Sequence, residues 1–363
     1  MDINKLLKIM VDKKASDLCL KVGNVPNLRI NGELQPIGEE LISSEDTDEA
    51  ANVVLKSQKR AGLFEKDEVD TSYTVSGLGR FRVNIFTQRG YIGLVFRSLK
   101  TEILDFKELN LPVELMQKLS IEQRGLILIT GTAGSGKSTT LAAMIKHINS
   151  SKKAHIITIE DPIEFIHKDI NSIIEQREVG IDTEGFKSAL KYVTRQSPDI
   201  ILIGEMRDTE TVEAAIMAAE TGQLVLSTLH TIDAVQTVER IINFFPPYQH
   251  RQIRMQLSFI LKGVISMRLL PLVSGEGRIP ALEIMLASPT VRKLILEGET
   301  EKIYDAIKNS EHFGMQTFNQ CVERLYKDKL ISYEDALSAA DNQAEFRLRT
   351  KGIFSTSRTL KDV

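Results

Sequence analysis

The chain has 363 residues, which exceeds one average domain and predicts two or three, each large enough to bury its own core. Hydrophobic residues make up 42% and charged residues 26%, and the net charge of -3 gives no general attraction to nucleic acid or to anionic membranes. The cysteines, Cys19 and Cys321, are too far apart in sequence to form a metal-type pair, and no apolar run is long enough to cross a membrane. These features exclude a disulfide framework and predict a cytoplasmic protein.

The first hundred residues alternate short helical and strand patterns, which predicts a small α+β domain over 1–99. Helices are predicted at 2–14 and 45–60, and strands at 17–22, 28–30, 80–88 and 91–99. Asn31-Gly32 is a strong signal for a two-residue hairpin after the second strand. The stretch 100–123 has no long strand pattern, so it is predicted to link this domain to the next.

From Gly125 onward, short apolar runs alternate with helical patterns, which predicts parallel strands joined by crossover helices. The predicted strands are 125–130, 155–159, 200–203 and 224–229, with helices after the first strand, around 184–195 and at 209–220, and a long loop after the second strand. Beyond Pro246-Pro247 the pattern predicts helices at 252–265, 289–297, 316–329 and 333–340. The predicted divisions are a core over 124–272, a mainly helical part over 273–345 and a flexible basic tail over 346–363.

Residues 131–138 carry the chain's most specific motif, Gly-Thr-Ala-Gly-Ser-Gly-Lys-Ser, between a predicted strand and a predicted helix. That setting is typical of a P-loop, in which backbone N–H groups turn toward a phosphate, Lys137 reaches the terminal phosphates and the Ser138 hydroxyl ligates Mg²⁺. The predicted nucleotide-binding residues are Gly131, Thr132, Ala133, Gly134, Ser135, Gly136, Lys137, Ser138 and Thr139. The motif therefore predicts a nucleoside triphosphate bound with Mg²⁺.

Acidic residues follow two of the predicted parallel strands, at the edge where such sheets form their ligand crevice. Phosphoryl transfer needs one carboxylate near the water shell of the metal and another near the attacking water. We predict that Glu205 polarises the water, that Glu160 and Asp161 hold Mg²⁺ through water, and that Glu164 is a further catalytic acid. The alternative interpretation is that these acids only cap the helices that follow them.

Two further sets of side chains are candidates for sensing phosphate. His230 follows the predicted strand 224–229, where a phosphate-sensing and catalytic role competes with a purely structural hydrogen bond. Arg80, Arg82 and Arg97 lie in the two strands near residue 90, and Arg80 and Arg82 share one strand face. We predict that one or two of them act as arginine fingers on a neighbouring nucleotide, and a solvated strand face is the alternative.

Four motifs together resemble the secretion ATPase superfamily and, within it, the PilT-like type IV pilus retraction ATPases. They are the Walker A loop at 131–138, the Asp box at 159–164, the Walker B-like pair at 204–205 and the His box at 222–230. The resemblance extends from ASDLCLKVG at residue 15 to about residue 340, and includes RIINFFP and FGMQTFN. It implies an α/β fold with a RecA-like P-loop NTPase core, an N-terminal PAS-like α+β domain and C-terminal helices.

The resemblance also implies an activity and partners. Members of this kind form six-subunit rings, bind nucleotide between their two domains, and couple Mg²⁺-dependent ATP hydrolysis to pilus retraction and twitching motility. The implied partners are the inner-membrane pilus platform protein and paralogous pilus ATPases, with no nucleic acid and with membrane contact only through partners. The implied location is the cytoplasm, docked at the pilus machine.

Three of the motifs depart from the family pattern. Thr132 and Ala133 replace the usual Pro-Thr of the loop, and Gln223 replaces the first histidine of the His box, so any proton role rests on His230. The retraction motif, usually AIRNLIRE, is TVRKLILE at 290–297, with Lys293 and Leu296 altered.

Three other functions compete with retraction at this point. A pilus extension or type II secretion ATPase of the same superfamily commonly carries a tetracysteine motif, and this chain has no Cys-x-x-Cys. A RecA-like nucleic-acid translocase would need a basic channel that the charge balance does not indicate. A nucleotide-dependent scaffold without hydrolysis is disfavoured by the presence of Lys137, Ser138 and Glu205.

Overall fold

The computed structural model describes residues 1–30, 32–56, 68–99 and 102–350, and the chain divides into two compact units. The first unit contains Met1–Glu102 together with two later segments, Asp161–Ile166 and Glu178–Glu184. The second contains Ile103–Glu160, His167–Arg177 and the chain from Gly185 onward. The early division was predicted, but no pattern in the sequence indicated that two segments beyond residue 160 would fold with the first unit.

The first unit is an antiparallel six-stranded sheet with two helices. Its elements are α1 (Ile3–Asp12), β1 (Asp17–Lys21), β2 (Asn27–Ile30), β3 (Glu33–Pro36), α2 (Ser44–Lys56), β4 (Glu68–Val75), β5 (Gly79–Gln88) and β6 (Tyr91–Ser98). The strand order is β3-β2-β1-β6-β5-β4. Helix α1 begins where the Asp2 carboxylate accepts from two backbone N–H groups, and it buries Ile3, Leu7 and Met10 at the 3-4 spacing that predicted it.

The predicted α+β character of this unit is confirmed, and two strands were missed. In β3 every residue is exposed, so no apolar alternation marks it, and β4 is rich in Asp, Thr and Ser. Ile30 lies opposite Glu33, so two residues connect β2 and β3, as the hairpin signal predicted. Of those two, Asn31 lies outside the described residues, as do the last four residues of the helix predicted at 45–60.

The second unit is a seven-stranded sheet covered by helices. Its strands are β7 (Gly125–Thr130), β8 (His155–Glu160), β9 (Ile173–Glu178), β10 (Ile200–Ile203), β11 (Leu224–Leu229), β12 (Leu261–Pro271) and β13 (Arg278–Leu286). The last residue of β9, Glu178, folds with the first unit. Its α-helices are α3 (Val113–Ser120), α4 (Lys137–Ser151), α5 (Phe186–Val193), α6 (Thr209–Glu220), α7 (Ala234–Asn243), α8 (His250–Ile260), α9 (Pro289–Glu297), α10 (Ile303–Lys308), α11 (Phe318–Lys327), α12 (Tyr333–Ala339) and α13 (Gln343–Thr350). The strand order is β13-β12-β7-β11-β10-β8-β9, and the pairs from β12 to β8 are parallel.

The four strands predicted for the core are confirmed. Strands β7, β10 and β11 are buried at every residue, which is why they are continuous apolar runs without alternation. The predicted helices at 209–220 and 289–297 match α6 and α9 residue for residue. Helix α9 also has the expected ends, because the Ser288 hydroxyl accepts from the Val291 N–H and Gly298 closes the helix at a φ of 80°.

The prediction of a helix over 252–265 was wrong beyond Ile260. Leu261 starts β12, which pairs with β7 on one side and with β13 on the other, so the mainly helical part begins with a hairpin instead. Such fully covered strands have no period-2 alternation, and a short apolar run of this kind is indistinguishable from a buried helix by pattern. Gly263 lies beside a register shift in β12, where an added Cβ would come within 3.2 Å of the Met285 carbonyl oxygen.

The beginning of the predicted basic tail was also wrong. Residues 346–350 belong to α13, in which Phe346 is fully buried and the Arg349 guanidinium pairs with Glu323 of α11 at 2.6 Å. Aromatic packing of Phe346 against Tyr326 and Tyr333 stabilises this helix on α11 and α12. The remainder of the predicted tail, 351–363, lies outside the described residues.

No helix in the described ranges is long and apolar enough to span a membrane.

Candidate nucleotide-binding site

The P-loop connects β7 to α4, as the motif predicted. Gly131 has a φ of 141°, and a Cβ there would come within 2.5 Å of the Met267 carbonyl oxygen and 2.6 Å of the Ser135 hydroxyl. Gly136 has a φ of 102° at the N-cap of α4, with no side chain capping the helix. Glycine is required at both positions because other residues strain at such φ values and the backbone packs closely at Gly131. The first turn of α4 therefore presents backbone N–H groups and its positive dipole end to an anion.

Lys137 is held over this loop. The residue is 8% exposed, and its Nζ donates to the carbonyl oxygens of Gly131 at 2.8 Å and of Thr132 at 2.9 Å. The Ser135 hydroxyl is buried and has no hydrogen-bond partner among the described residues. A buried cation and a buried donor that lacks an acceptor fit phosphate oxygens, which accept several hydrogen bonds at once.

The remaining residues named for the site come from neighbouring strands. Strands β7, β11, β10 and β8 are adjacent and parallel, so the P-loop, His230, Glu205 and Glu160 all follow the carboxyl end of the sheet. Thr130 lies opposite Leu229, and the Gly131 N–H donates to the Leu229 carbonyl oxygen at 3.3 Å. His230 is therefore the next residue along a strand that runs beside the start of the P-loop.

Glu205 contacts two basic side chains at this edge of the sheet. Its side chain is 18% exposed, with Oε2 at 2.8 Å from Arg207 Nη2 and Oε1 at 3.3 Å from His230 Nε2. The segments that carry the acid and the histidine are tied together, because the Thr228 hydroxyl donates to the Gly204 carbonyl oxygen at 2.7 Å. Glu205 and His230, which were predicted separately at the ends of two strands, are thus in direct contact. Arg207 was not predicted, although its place two residues after Glu205 was a usable signal.

Glu160 is held inside the second unit. Its Oε1 accepts from the Thr158 hydroxyl at 2.6 Å and from Gln176 Nε2 at 3.2 Å. Asp161 and Glu164, the other two acids of the Asp box, are both exposed and fold with the first unit. The predicted acidic cluster is therefore divided between the two units, and the roles of Asp161 and Glu164 stay predictions.

The arginines predicted as fingers each have a carboxylate partner in the first unit. Arg82 bonds Asp70 with both side chains about two-fifths exposed, and that hydrogen bond is the main cause that raises the pKa of Arg82. Arg97 donates to Asp17 at 2.9 Å and is 63% exposed. Arg80 differs from both because its own side chain is only 17% exposed, and its partner, Glu178, is 1% exposed.

The donor set fits a magnesium nucleotide. Within the described ranges no cluster of three or more His, Cys, Asp or Glu side chains forms a metal cage. Mg²⁺ in nucleotide sites is held by one or two protein oxygens together with phosphates and water, so such a cage is not needed. The Ser138 hydroxyl at the first turn of α4 and the carboxylate of Glu160 are oxygen ligands of the required kind.

The two ends of the His box lie at opposite ends of β11. Gln223 precedes the strand, where its Oε1 accepts from the Thr221 hydroxyl at 2.8 Å, and His230 follows it. The length of the strand separates the two positions by about 20 Å. Gln223 therefore lies away from the edge of the sheet that carries the P-loop, Glu205 and His230.

The motif at 290–297 forms α9 and is tied to α8 by Arg292. The Arg292 guanidinium donates to the Ser258 and Phe259 carbonyl oxygens at 2.8 and 3.0 Å, in the last turn of α8. Lys293 and Leu296, which replace the usual Asn and Arg, are both exposed. These two departures from the family motif thus fall on the outer face of α9, and the retained arginine satisfies carbonyl groups at a helix end.

Replacement of His230 by alanine tests its position. We expect ATP affinity to change less than about twofold and kcat to fall at least about tenfold, because the lost imidazole contacts Glu205 and not the phosphate cradle. Steady-state turnover and direct nucleotide titration separate the two quantities. Unchanged kcat in the variant would remove His230 from the site.

A glycine loop between a buried parallel strand and a helix, with acids on the adjacent strands, defines a P-loop nucleotide-binding protein with a RecA-like core. Residues 78–334 match the family described as Type II/IV secretion system protein, and the chain belongs to that family. The resemblance inferred from the four motifs is thereby confirmed.

Two curated relatives cover nearly all of the chain. The type IV pilus ATPase PilU of Pseudomonas aeruginosa is 44% identical over 351 residues, which cover 97% of this chain and 92% of that protein. The type IV pilus retraction ATPase PilT of the same organism is 42% identical over 340 residues, covering 94% and 98%. A crystal structure of the pilus retraction motor PilT with bound ADP has a TM-score of 0.89 and 45% identity, covering 95% of this chain and 98% of that one.

A relative named for pilus assembly matches over a shorter stretch. The type IV pilus assembly ATPase PilB of Myxococcus xanthus is 43% identical over 148 residues, which cover 40% of this chain and 25% of that protein. The match to the retraction-named relative therefore extends over nearly the whole chain, whereas the match to the assembly-named relative extends over less than half of it.

Proposed function

We propose that this chain is an ATP-hydrolysing motor that retracts type IV pili and so supports twitching motility. The observation that carries the proposal is the similarity to PilT at 42% identity over 94% of the chain, with a P-loop and adjacent acids that fit ATP and Mg²⁺. Matches to the assembly-type relative cover less than half of the chain, which favours retraction over extension.

The described residues have distinct tasks in this proposal. Lys137 and the N–H groups of the first turn of α4 hold the phosphates, and the Ser138 hydroxyl with Glu160 holds Mg²⁺, the latter through water. Mg²⁺, when bound, offsets negative charge on the phosphates. Glu205 orients the attacking water and accepts its proton, and His230, in contact with Glu205, reports phosphate occupancy to that acid.

The assembly belongs to the same proposal. We propose a homo-hexamer that docks in the cytoplasm on the inner-membrane platform protein of the pilus and acts alongside a paralogous pilus ATPase. Light scattering of the purified chain with ATP and Mg²⁺ measures the assembly directly. A mass six times that of the chain supports the ring, and a monomer at all concentrations contradicts it.

A deletion strain tests the direction of movement. Without this protein, cells are expected to carry more surface pili and to lose twitching, because extension would continue without retraction. Complementation with the wild-type gene should restore both properties, and a Lys137→Ala gene should restore neither. Cells that lose their pili instead would show an extension motor and overturn the proposal.

Purified protein tests the enzyme itself. We expect Mg²⁺-dependent release of phosphate from ATP that is insensitive to added DNA or RNA, since the net charge of -3 offers no general attraction to nucleic acid. Strong stimulation by nucleic acid that disappears at high salt would favour a translocase. Absence of turnover in the assembled wild-type protein would favour a scaffold.

A further inference from the structure

The chain passes between the two units several times within 25 residues after β8. The segment 161–166, which carries Asp161 and Glu164, and the segment 178–184 fold with the first unit, while the residues before, between and after them fold with the second. Something must hold these short segments in the first unit, since each has only six or seven residues.

Glu178 is the buried group at which these pieces meet. Its carboxylate is 1% exposed, and Oε1 accepts from the Ser72 hydroxyl of β4 at 3.0 Å. Oε2 accepts from the Arg80 guanidinium of β5 and from the backbone N–H of Ile163 at 3.2 Å. Two strands of the first sheet and the Asp-box segment therefore all donate to one carboxylate, whose burial would be costly without these partners.

The surroundings fix both ends of this arrangement. Arg80 Nη2 also donates to the Ser72 hydroxyl at 2.7 Å, so the two groups of the sheet that bond Glu178 also bond each other. The backbone N–H of Glu178 donates to the Asp182 carboxylate at 2.8 Å, which closes a turn over 178–182. Ile163 is 2% exposed, so its side chain anchors the same segment whose N–H reaches Glu178.

We propose that the buried Arg80–Glu178 pair positions the Asp box, setting the places of Asp161 and Glu164 through the N–H of Ile163. The proposal rests on the proposed function only for the role of those two acids, because the hydrogen bonds themselves lie within the first unit. Arg80 is then a positioning residue and not an arginine finger, since its Nη2 bonds Glu178 and Ser72. Arg82 and Arg97, whose carboxylate partners are on the sheet itself, keep their predicted role.

The two acids are sensitive to such positioning. Ile163 lies between Asp161 and Glu164 in sequence, so a shift at its N–H moves both neighbours. Misplacement of a group by about 1 Å is enough to cost about 100-fold in rate at a reacting centre. Both acids are exposed, so their placement depends on the segment that carries them and not on burial of their own side chains.

The test uses Arg80→Lys in the full chain, with Arg29→Lys as the matched control. Arg29 is also an arginine of the first sheet with a carboxylate partner, Asp17, but its side chain is 41% exposed, and Asp17 bonds Arg97 and Ser16 instead of the Asp-box segment. Lysine keeps the charge and loses the planar fork that reaches Glu178 and Ser72 together. Hydrogen exchange is measured peptide by peptide, and kcat and KM for ATP are measured on the same samples.

Arg80→Lys should raise the exchange rate of peptides covering 161–166 and 178–184 about tenfold and leave exchange in the rest of the first sheet unchanged. Arg29→Lys should exchange like wild type throughout. It should lower kcat about tenfold with KM for ATP within about twofold. Glu178→Asp should behave in the same way, and Glu178→Ala should show the larger exchange change. Unchanged exchange at 161–166, or an increase spread over the whole first unit, overturns the proposal. If Arg80→Lys raises exchange only in these segments and the wild-type protein has no ATP turnover, the proposed function is contradicted and the positioning of the Asp box by Arg80 and Glu178 is supported.

Discussion

Replacement of Glu205 by glutamine is expected to lower ATP turnover about 100- to 1,000-fold while leaving ATP affinity within about twofold of wild type. Glutamine has the same shape and still accepts a hydrogen bond from Arg207, so the segment after β10 keeps its place. It cannot accept a proton from the attacking water. The loss therefore falls on the chemical step and not on the phosphate cradle.

The measurement needs two controls. Lys137→Ala should lose both affinity and turnover, since it removes the buried cation held over the loop by the carbonyl oxygens of Gly131 and Thr132. Glu213→Gln, at an exposed position of α6, removes one carboxylate without touching the site and should match wild type. Titration with a fluorescent ADP analogue measures affinity, and phosphate release measures turnover. Glu205→Gln with wild-type turnover would exclude Glu205 as the base.

The sequence was most informative where burial is complete and chemistry is local. Strands β7, β10 and β11 are buried at every position and could be located from their apolar runs. The P-loop could be located because its function depends on consecutive residues, including Gly131, whose positive φ requires glycine. The adjacent places of Glu205 and His230 followed from parallel strands ending at one edge.

The sequence failed where the determining partner is distant in the chain. Arg80 and Glu178 are 98 residues apart, and nothing near either residue shows that they form a buried pair. Strands β12 and β13 owe their conformation to pairing with each other and with β7, which overrides a pattern compatible with helix.

A second buried carboxyl, on β13, makes the stability of this protein depend on pH. Glu283 is 1% exposed, and its Oε1 accepts from the Ala234 N–H at 2.8 Å. Ala234 is the first residue of α7 and follows shortly after His230 in the chain. Burial is the main cause that raises the pKa of Glu283 to about 8, and the nearby carboxylates Asp341 and Asp233 raise it further. The Ala234 N–H and the Arg268 guanidinium lower that pKa, and Tyr304 is a further titratable group that interacts with it.

The sign follows from counting protons. Between the ordinary glutamate pKa of 4.5, which applies to the unfolded chain, and the native pKa of about 8, the folded protein keeps a proton on Glu283 that the unfolded chain has released. The contribution of Glu283 to stability is therefore fully present below pH 4.5 and is lost as the pH rises through the native pKa, on the order of 5 kcal/mol across the window. Above the native pKa both states are ionised and this contribution stays constant.

Glu283→Gln should remove this dependence. Glutamine presents an oxygen to the Ala234 N–H and carries no charge at any pH, so the loss of stability that comes from Glu283 should disappear and the free energy of unfolding should exceed the wild-type value at about pH 8.5. Burial lowers the pKa of His167 to about 4, so both proteins should keep the rise in stability that this histidine causes up to about pH 6.5. Urea unfolding at half-unit steps of pH measures both proteins, and Glu276→Gln, on the exposed turn before β13, is the control that should follow wild type. Curves of equal slope for wild type and Glu283→Gln would show that Glu283 is already ionised in the folded protein at neutral pH. Since α7 begins just after His230, a gain in stability at high pH accompanied by a gain in ATP turnover would show that ionised Glu283 disturbs the site as well as the fold.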